Sequence, residues 1–183
     1  RAKALALRQE VDSHKATAKA LRQSDERFQL AMRGANDGLW DADLETGHTY
    51  FSPRWKKMLG YGPNEIMPTS EEWLSRVHPE DVERVRRARE EFVAGTQPQY
   101  RLEFRLRHKS GGYRWILARG TAVRNEQGRA VRLVGTHVDI TERKRAEETV
   151  ARAKAEAEAA LAAVEAKKRA IEEGLSPSSS PSP

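Results

Sequence analysis

The residues that could do chemistry in this chain are few. His78, Asp81 and Glu83 lie close together and carry the nitrogen and carboxylate groups that bind metal ions. Their spacing does not bring the three side chains to one point, so the sequence predicts no metal site. Pro79 and the acidic residues after it instead predict the first turn of a helix, where proline and negative charge are both favoured.

No catalytic motif accompanies these residues. The sequence contains no nucleophile next to a base, no glycine-rich phosphate loop and no paired carboxylates within an apolar stretch. His14 stands between Ser13 and Lys15, without the acidic or amide residue that follows a phosphoacceptor histidine, and we interpret it as part of a helical seam. We therefore predict that this chain is not itself an enzyme.

Composition narrows the possible classes further. The absence of cysteine removes disulfides, thiolate metal sites and covalent cysteinyl adducts. The formal net charge of +6 permits nucleic-acid contact, but the basic residues are spread around helices without neighbouring exposed aromatics, which argues against it. Because there is no apolar run of about 18 residues and no signal-peptide pattern, we expect a cytoplasmic location. A membrane anchor elsewhere in a longer parent protein stays open.

The periodicity of the sequence changes at residues 135–141. Before this point apolar residues occupy both faces of an extended segment, and after it they follow a helical period. Asp139 and Thr141 are residue types that cap helices, and Glu142 follows Asp139 at the capping-box offset. A buried strand is therefore predicted to continue directly into a helix. We interpret Asp139, Ile140 and Thr141 as a relay that couples strand and helix mechanically.

The remaining elements predict an α+β fold. Extended runs at residues 38–44 and 48–52 are separated by a short turn and predict a hairpin. Three more strands are predicted at residues 100–107, 113–124 and 130–140, again with glycine-containing turns between them. Short helices fill the interval between the second and third strands, with one beginning at Pro53 and another at Pro79.

Both ends of the chain are predicted to be helical. Apolar residues step by three and four from Ala4 to Leu21, and a seven-residue repeat runs from Val150 to Ile171. Ser24 can cap or reinforce a helix at the end of the first seam. The N-terminal seam predicts a dimeric coiled coil or, alternatively, a single helix packed on its own domain. We predict segments at 1–23 and 142–173 for the two coiled-coil helices, 24–141 for the globular domain and 174–183 for a disordered tail.

Motifs along residues 24–145 resemble those of a PAS domain with its C-terminal PAC motif. They are SDERF at 24–28, NDGLWDADLETG at 36–47, VHPED at 77–81, GYRW at 112–115 and GTHVDITERKR at 135–145. The resemblance implies a five-stranded antiparallel sheet with short helices on one face, which enclose a pocket. It also implies a sensory module of a bacterial signalling protein, such as a histidine kinase or diguanylate cyclase, that relays a change in the pocket or dimer interface to an output helix. A ligand-free dimerisation module is the alternative.

The same resemblance suggests which residues line the pocket. These are Leu106, Ile116, Ala118, Leu133 and His137, of which His137 corresponds to a strand glutamine that contacts flavin in light-sensing members. Those members require a cysteine, which this chain lacks. Haem-binding members take an axial histidine from the helix that here spans residues 80–92, which contains none, so the resemblance argues against haem.

The cofactor therefore stays unknown, and the apolar lining suits a small apolar or aromatic ligand or a filled core. An inward-facing histidine on a final strand, such as His137, is more often a hydrogen-bonded core residue than a ligand contact. The implied partners are a second copy of the chain and an output domain, in the same chain or on a partner kinase.

Overall fold

The computed structural model describes residues 2–35 and 37–174, which belong to two compact units that meet between Ile140 and Thr141. The predicted disordered tail lies outside the described residues, apart from Gly174. In chain order the elements are α1 Ala2–Ala35, β1 Gly38–Asp43, β2 Thr49–Phe51, α2 Pro53–Met58, α3 Ser70–Leu74, α4 Pro79–Ala94, β3 Tyr100–Arg107, β4 Tyr113–Arg124, β5 Ala130–Asp139 and α5 Thr141–Gly174.

The five strands form one antiparallel sheet in the order β2-β1-β5-β4-β3. The predicted α+β fold with five antiparallel strands is therefore confirmed. Alternation of side chains puts one face of β5 inward, with Leu133, Gly135 and His137 buried, while Val134 and Thr136 on the opposite face are only half-buried.

One row across the sheet, in which Phe51 of β2 pairs with Trp40 of β1, is unusual because two of its five positions are glycine. Trp40 of β1 pairs with Gly135 of β5, which pairs with Gly120 of β4, which pairs with Tyr100 of β3. Glycine inside a strand commonly marks a place where another group approaches the backbone closely. This glycine row leaves space above the middle of the sheet for the large aromatic side chains of Trp40 and Tyr100, which lie on either side of the two glycines.

Short helices cover the inner face, and each begins at a residue that caps it. The hydroxyl oxygen of Ser52 accepts from the backbone N–H of Trp55, and that of Thr69 accepts from Glu72. His78 caps α4 by accepting the N–H of Glu80 through Nδ1, at 3.2 Å. His78, which was first considered as a metal ligand, therefore caps the start of helix α4.

Asp81 joins this helix start to the sheet. Its carboxylate accepts from the backbone N–H of Arg105 at 3.0 Å and from the Arg105 Nε–H at 2.9 Å, and it also pairs with Arg84. These hydrogen bonds outweigh the effect of burial and lower the pKa of Asp81 to about 2. Among the residues that the structure describes, no group of three His, Asp or Glu side chains could hold a metal ion.

Both long helices expose apolar side chains. Helix α1 runs without a break through Ser24, so that residue lies inside a helix and does not begin one. The exposed apolar residues are Val11, Leu21, Phe28 and Leu30 on α1, and Val150, Leu161, Val164 and Ile171 on α5. Neither helix, nor any other in the described part of the chain, is both long and apolar enough to cross a membrane.

Candidate functional site

A cavity of about 40 Å³ lies over the inner face of the sheet. It is bounded by strands β1, β2, β3 and β5 and by helices α3 and α4. Its lining residues are Trp40, Ala42, Thr49, Phe51, Ser70, Trp73, Arg89, Tyr100, Leu133 and His137. One water molecule occupies about 10–15 Å³ of such a cavity, so this one accommodates only a few water-sized groups.

The glycine row positions the indole of Trp40 at one side of this cavity. A Cβ atom placed on Gly120 would lie 2.9 Å from Cη2 of Trp40, and one on Gly135 would overlap the same ring. The indole therefore lies directly over the two glycines. Across the row it meets Tyr100 edge-on, with 6.2 Å between ring centroids, and Tyr100 packs in turn on Phe92 at 5.4 Å.

His137 lies next to Trp40 and is almost completely enclosed, with 2% of its surface exposed. Its Nδ1 accepts the indole N–H of Trp55 at 2.9 Å. Because an indole N–H can only donate, the proton of this neutral imidazole resides on Nε2. The rings of Trp40, Trp73 and Phe104 surround it at centroid distances of 5.6–6.4 Å.

Burial controls the protonation state of this histidine. Desolvation lowers the pKa of His137 to about 3, because a charged imidazolium would lose its hydration among aromatic rings. The hydrogen bond from Trp55 further requires a lone pair on Nδ1. His137 is therefore a neutral, fixed part of the cavity wall across the physiological pH range.

Only part of the pocket lining expected from the sequence is brought together at the cavity. Leu133 and His137 line it, whereas Leu106, Ile116 and Ala118 are fully buried in the core and are not among its lining residues. Their partners in the sheet are the following: Ala118 pairs with His137 and Leu102, Ile116 pairs with Phe104 and with Asp139 at the end of β5, and Leu106 pairs with Arg114. None of the three is among the lining residues, and their role in ligand binding stays a prediction.

The sequence reasoning missed most of the wall opposite the sheet. Trp73 and Ser70 come from α3, and Arg89 comes from α4, whose orientation over the sheet no local pattern specifies. Trp40 and Tyr100 enter the site because of strand pairing between residues distant in sequence. The signal available was the pair of glycines inside predicted strands, Gly120 and Gly135, which mark close approach to the backbone.

The predicted relay residues follow the cavity-lining strand. Asp139 is the last residue of β5, pairs with Ile116 and lies 3.9 Å from Arg114. The backbone N–H of Ile140 donates to the carbonyl oxygen of Trp115 at 2.8 Å, and helix α5 begins at the next residue, Thr141. One residue therefore separates β5 from α5 in the chain.

Comparison with known proteins finds sensory relatives. A family model described as PAS fold matches residues 48–137. The chain is 30% identical over 125 residues to a blue-light-activated histidine kinase of Brucella anthropi, covering 68% of this chain and 24% of that protein. It is 35% identical over 123 residues to the sensor protein FixL of Bradyrhizobium diazoefficiens, covering 67% of this chain and 24% of that protein. The chain thus spans about a quarter of the length of these curated relatives.

Solved structures show the same likeness. A sensory box histidine kinase/response regulator from Burkholderia thailandensis is similar with a TM-score of 0.64 and 39% identity, over 72% of this chain and 98% of that one. The N-terminal domain of a diguanylate cyclase with a PAS/PAC sensor, from Marinobacter aquaeolei, is similar with a TM-score of 0.53 and 26% identity. That match covers 59% of this chain and 98% of the other.

Proposed function

Since this chain belongs to the PAS fold family, we propose that it is the sensory module of a bacterial signal-transduction protein, with a histidine kinase as the output. A diguanylate cyclase is the second output of this kind among the similar proteins. The proposal also places the module in the cytoplasm. It also keeps the division into a helix at 1–23, a sensor domain at 24–141 and an output helix at 142–173.

The observation that carries this proposal is the continuity between cavity and output helix. Leu133 and His137 line the cavity from β5, the same strand ends at Asp139, and α5 begins at Thr141. A shift of β5 caused by an occupant of the cavity is passed along the chain through a single intervening residue. The relay residues Asp139, Ile140 and Thr141 are the positions where that shift reaches the helix.

The proposed output helix works as half of a parallel or antiparallel dimer. Val150, Val164 and Ile171 occupy its seven-residue repeat and are more than 60% exposed in the single chain. Alanine fills much of the rest of the seam, at residues 146, 153, 157 and 160. Since each buried methylene contributes about 0.8 kcal/mol, this seam is weak enough to be biased by an allosteric coupling of about 1–3 kcal/mol.

Strengthening the seam is expected to lock the output. In a chimera that joins this chain to a reporter kinase, the double change Ala153→Leu and Ala160→Leu adds apolar surface to one register and reduces the response to stimulus about tenfold or more. Kinase autophosphorylation measures the effect. Ala155→Leu and Ala162→Leu add the same surface outside the repeat and are the matched control. An unchanged response in the seam variant, or the same loss in both, would contradict the coiled-coil output.

Asp139→Ala is expected to uncouple binding from output. Loss of the carboxylate removes the cap that Asp139 is proposed to provide, while the buried inner face of β5 stays intact. The chimera should keep its thermal unfolding midpoint within about 2 °C, since surface changes away from the core have small effects, and lose its response. Asp139→Asn retains an acceptor oxygen and should restore the response. Unfolding of the alanine variant would show that the residue is structural.

A ligand-free dimerisation module is the alternative, and the small volume of the cavity favours it. Native mass spectrometry of protein purified from cells separates the two functions. A bound small molecule supports sensing, whereas a dimer without an adduct supports the interaction role. The proposed partners are accordingly a second copy of the chain and the output domain.

A further inference from the structure

Three buried hydrogen-bond donors around the cavity have no partner among the described residues. They are the indole N–H groups of Trp40 and Trp73 and the phenol O–H of Tyr100. All three residues line the cavity, and Trp40 and Tyr100 are at least nine-tenths buried. An unpaired buried polar group costs about 1–3 kcal/mol, and proteins rarely leave several of them around one space without use.

Each polar side chain of the cavity wall carries at least one N–H or O–H donor, and only the hydroxyls and the Nδ1 atom of His137 can also accept. Indole N–H groups cannot accept, and burial raises the pKa of Tyr100 to about 12, so its proton stays in place at neutral pH. The imidazole of His137 already uses its accepting nitrogen for Trp55. The hydroxyls of Thr49 and Ser70 lie 3.1 Å apart, and because only one of them can donate to the other, one proton remains for a third group.

The charged groups of the cavity wall also favour an occupant that accepts hydrogen bonds. Arg89 contributes a guanidinium, and the described lining residues include no Asp or Glu. None of the described acidic residues forms an ion pair with Arg89. Arg89 is half-buried, so an uncharged occupant would leave this cation to pair with solvent, whereas an anion would pair with it in a charge-assisted hydrogen bond. Burial of an anion is costly without such a partner, so Arg89 decides between the two.

Size and surface limit the occupant further. A cavity of about 40 Å³ admits only a few water-sized groups, and its apolar wall consists of Ala42, Phe51, Leu133 and the indole faces. The centroids of Trp40 and Tyr100 are 6.2 Å apart, and those of Trp73 and His137 are 6.4 Å apart. Trp40, Trp73 and Tyr100 all line this one small volume.

We propose that this cavity binds a small monocarboxylate, whose oxygens accept from Trp40, Trp73 and Tyr100 and pair with Arg89, while its short apolar body rests on Phe51 and Leu133. This inference rests on the proposed sensory function and names its ligand class. It differs from the small apolar or aromatic ligand expected from the sequence, because an apolar molecule would leave the buried donors of Trp40, Trp73 and Tyr100 unpaired.

Propionate is the probe for the full chain, and NMR of the indole N–H signals is the readout. The four tryptophans give one signal each, assigned by single Trp→Phe variants. Propionate should shift the signals of Trp40 and Trp73 and leave Trp115 unchanged, since that residue does not line the cavity. Propionamide has the same shape without the charge and should bind at least about tenfold more weakly.

Two variants test the assignment of the donors. Tyr100→Phe removes only a hydroxyl, and it should weaken propionate binding about tenfold while the unfolding midpoint stays the same or rises, because an unpaired polar group is lost. A merely structural tyrosine would not show this combination. Arg89→Gln should abolish the preference for propionate over propionamide, whereas Arg86→Gln, an exposed position on the same helix, should keep it.

Four results would overturn the inference. The first is that propionate leaves the indole signals unshifted, and the second is that propionamide binds as tightly as propionate. The third is that Arg89→Gln binds propionate as tightly as the unchanged protein does. The fourth is that the indole protons contact only water when propionate is present. Each concerns the ligand class only. The seam variants in the kinase chimera test the sensory function separately, so that a failed ligand and a failed function are distinguishable.

Discussion

The protein is expected to lose about 1.4 kcal/mol of stability for each pH unit below about 6.5, because it buries a neutral histidine. The unfolded chain takes up a proton on His137 at its ordinary pKa of 6.5, whereas burial lowers the pKa in the folded protein to about 3. Between these two values the unfolded state binds more protons. Stability is therefore complete above about pH 6.5 and falls steadily as the pH decreases toward 3.

Urea unfolding at a series of pH values between about 7.5 and 4.5 measures this slope, and the total loss over the range should be about 3 kcal/mol. His137→Gln keeps an acceptor for the indole of Trp55 but cannot titrate, so its stability should vary little over the same range. His14→Gln, at an exposed position of α1, should behave like the unchanged protein. A flat profile in the unchanged protein would mean that His137 is hydrated or already charged.

Other charged groups near the cavity do not disturb this interpretation. Burial is the cause of the lowered pKa of His137. The pKa of Asp81 is lowered to about 2, so its contribution to stability is lost only as the pH falls from about 4 to 2. The window between about pH 6.5 and 4.5 therefore isolates the histidine from this carboxylate.

Strand positions were the part of the fold that the sequence predicted best. Strand β3 runs from Tyr100 to Arg107 and β4 from Tyr113 to Arg124, at the predicted residues. The reason is local: Leu102, Phe104 and Leu106 alternate with charged side chains, and Gly111 and Gly128 adopt the positive φ that their turns require. Such signals need no information from distant parts of the chain.

The ends of helices were predicted less well, because a residue with a capping side chain can also lie inside a helix when its neighbours favour helix. Ser24 and the acids that follow it have the composition of a helix start, yet α1 continues from Ala2 to Ala35. The flanking alanine, leucine and arginine residues favour helix strongly enough to include a serine within it. The boundary proposed at residues 23–24 thus marks no break in secondary structure, although its role as a domain boundary stays a prediction.

The cavity could not be derived from the sequence because non-local register creates it. A shift of one residue in the pairing of β4 and β5 would put Gly120 opposite a side chain and close the space under Trp40. Likewise, Arg89 becomes a cavity residue only because α4 crosses above the sheet at that point. Two of the residues that the family resemblance suggested for the pocket, Leu133 and His137, lie in the lining of this cavity, and their role in ligand binding stays a prediction.

Gly135→Ala is expected to destabilise the protein by about 3 kcal/mol or more, because the added methyl has no space. A Cβ atom at this position would overlap the carbonyl oxygen of Arg119 and the indole of Trp40. The carbonyl belongs to the neighbouring strand and cannot move without disturbing the ladder. The indole is enclosed by Tyr100 and His137, so its displacement would fill the cavity.

Two other glycines make this a graded series. A Cβ at Gly120 would lie 2.9 Å from the ring of Trp40 and 3.2 Å from the carbonyl oxygen of Val134, a smaller overlap than at Gly135. A Cβ at Gly112 would meet nothing within 4 Å, so Gly112→Ala is the matched control. Urea unfolding should rank the losses as Gly112→Ala below Gly120→Ala below Gly135→Ala, and propionate binding should fall in the same order.

The background variant Trp40→Leu separates the two overlaps at Gly135. If contact with the indole dominates, Gly135→Ala should cost much less in this background, because the two residues are then energetically coupled. If the carbonyl of Arg119 dominates, the cost should be the same in both backgrounds. Equal stability of Gly135→Ala and Gly112→Ala would contradict the pairing of Trp40, Gly135, Gly120 and Tyr100. The cavity rests on that row, since the backbone can approach the indole only where no side chain intervenes.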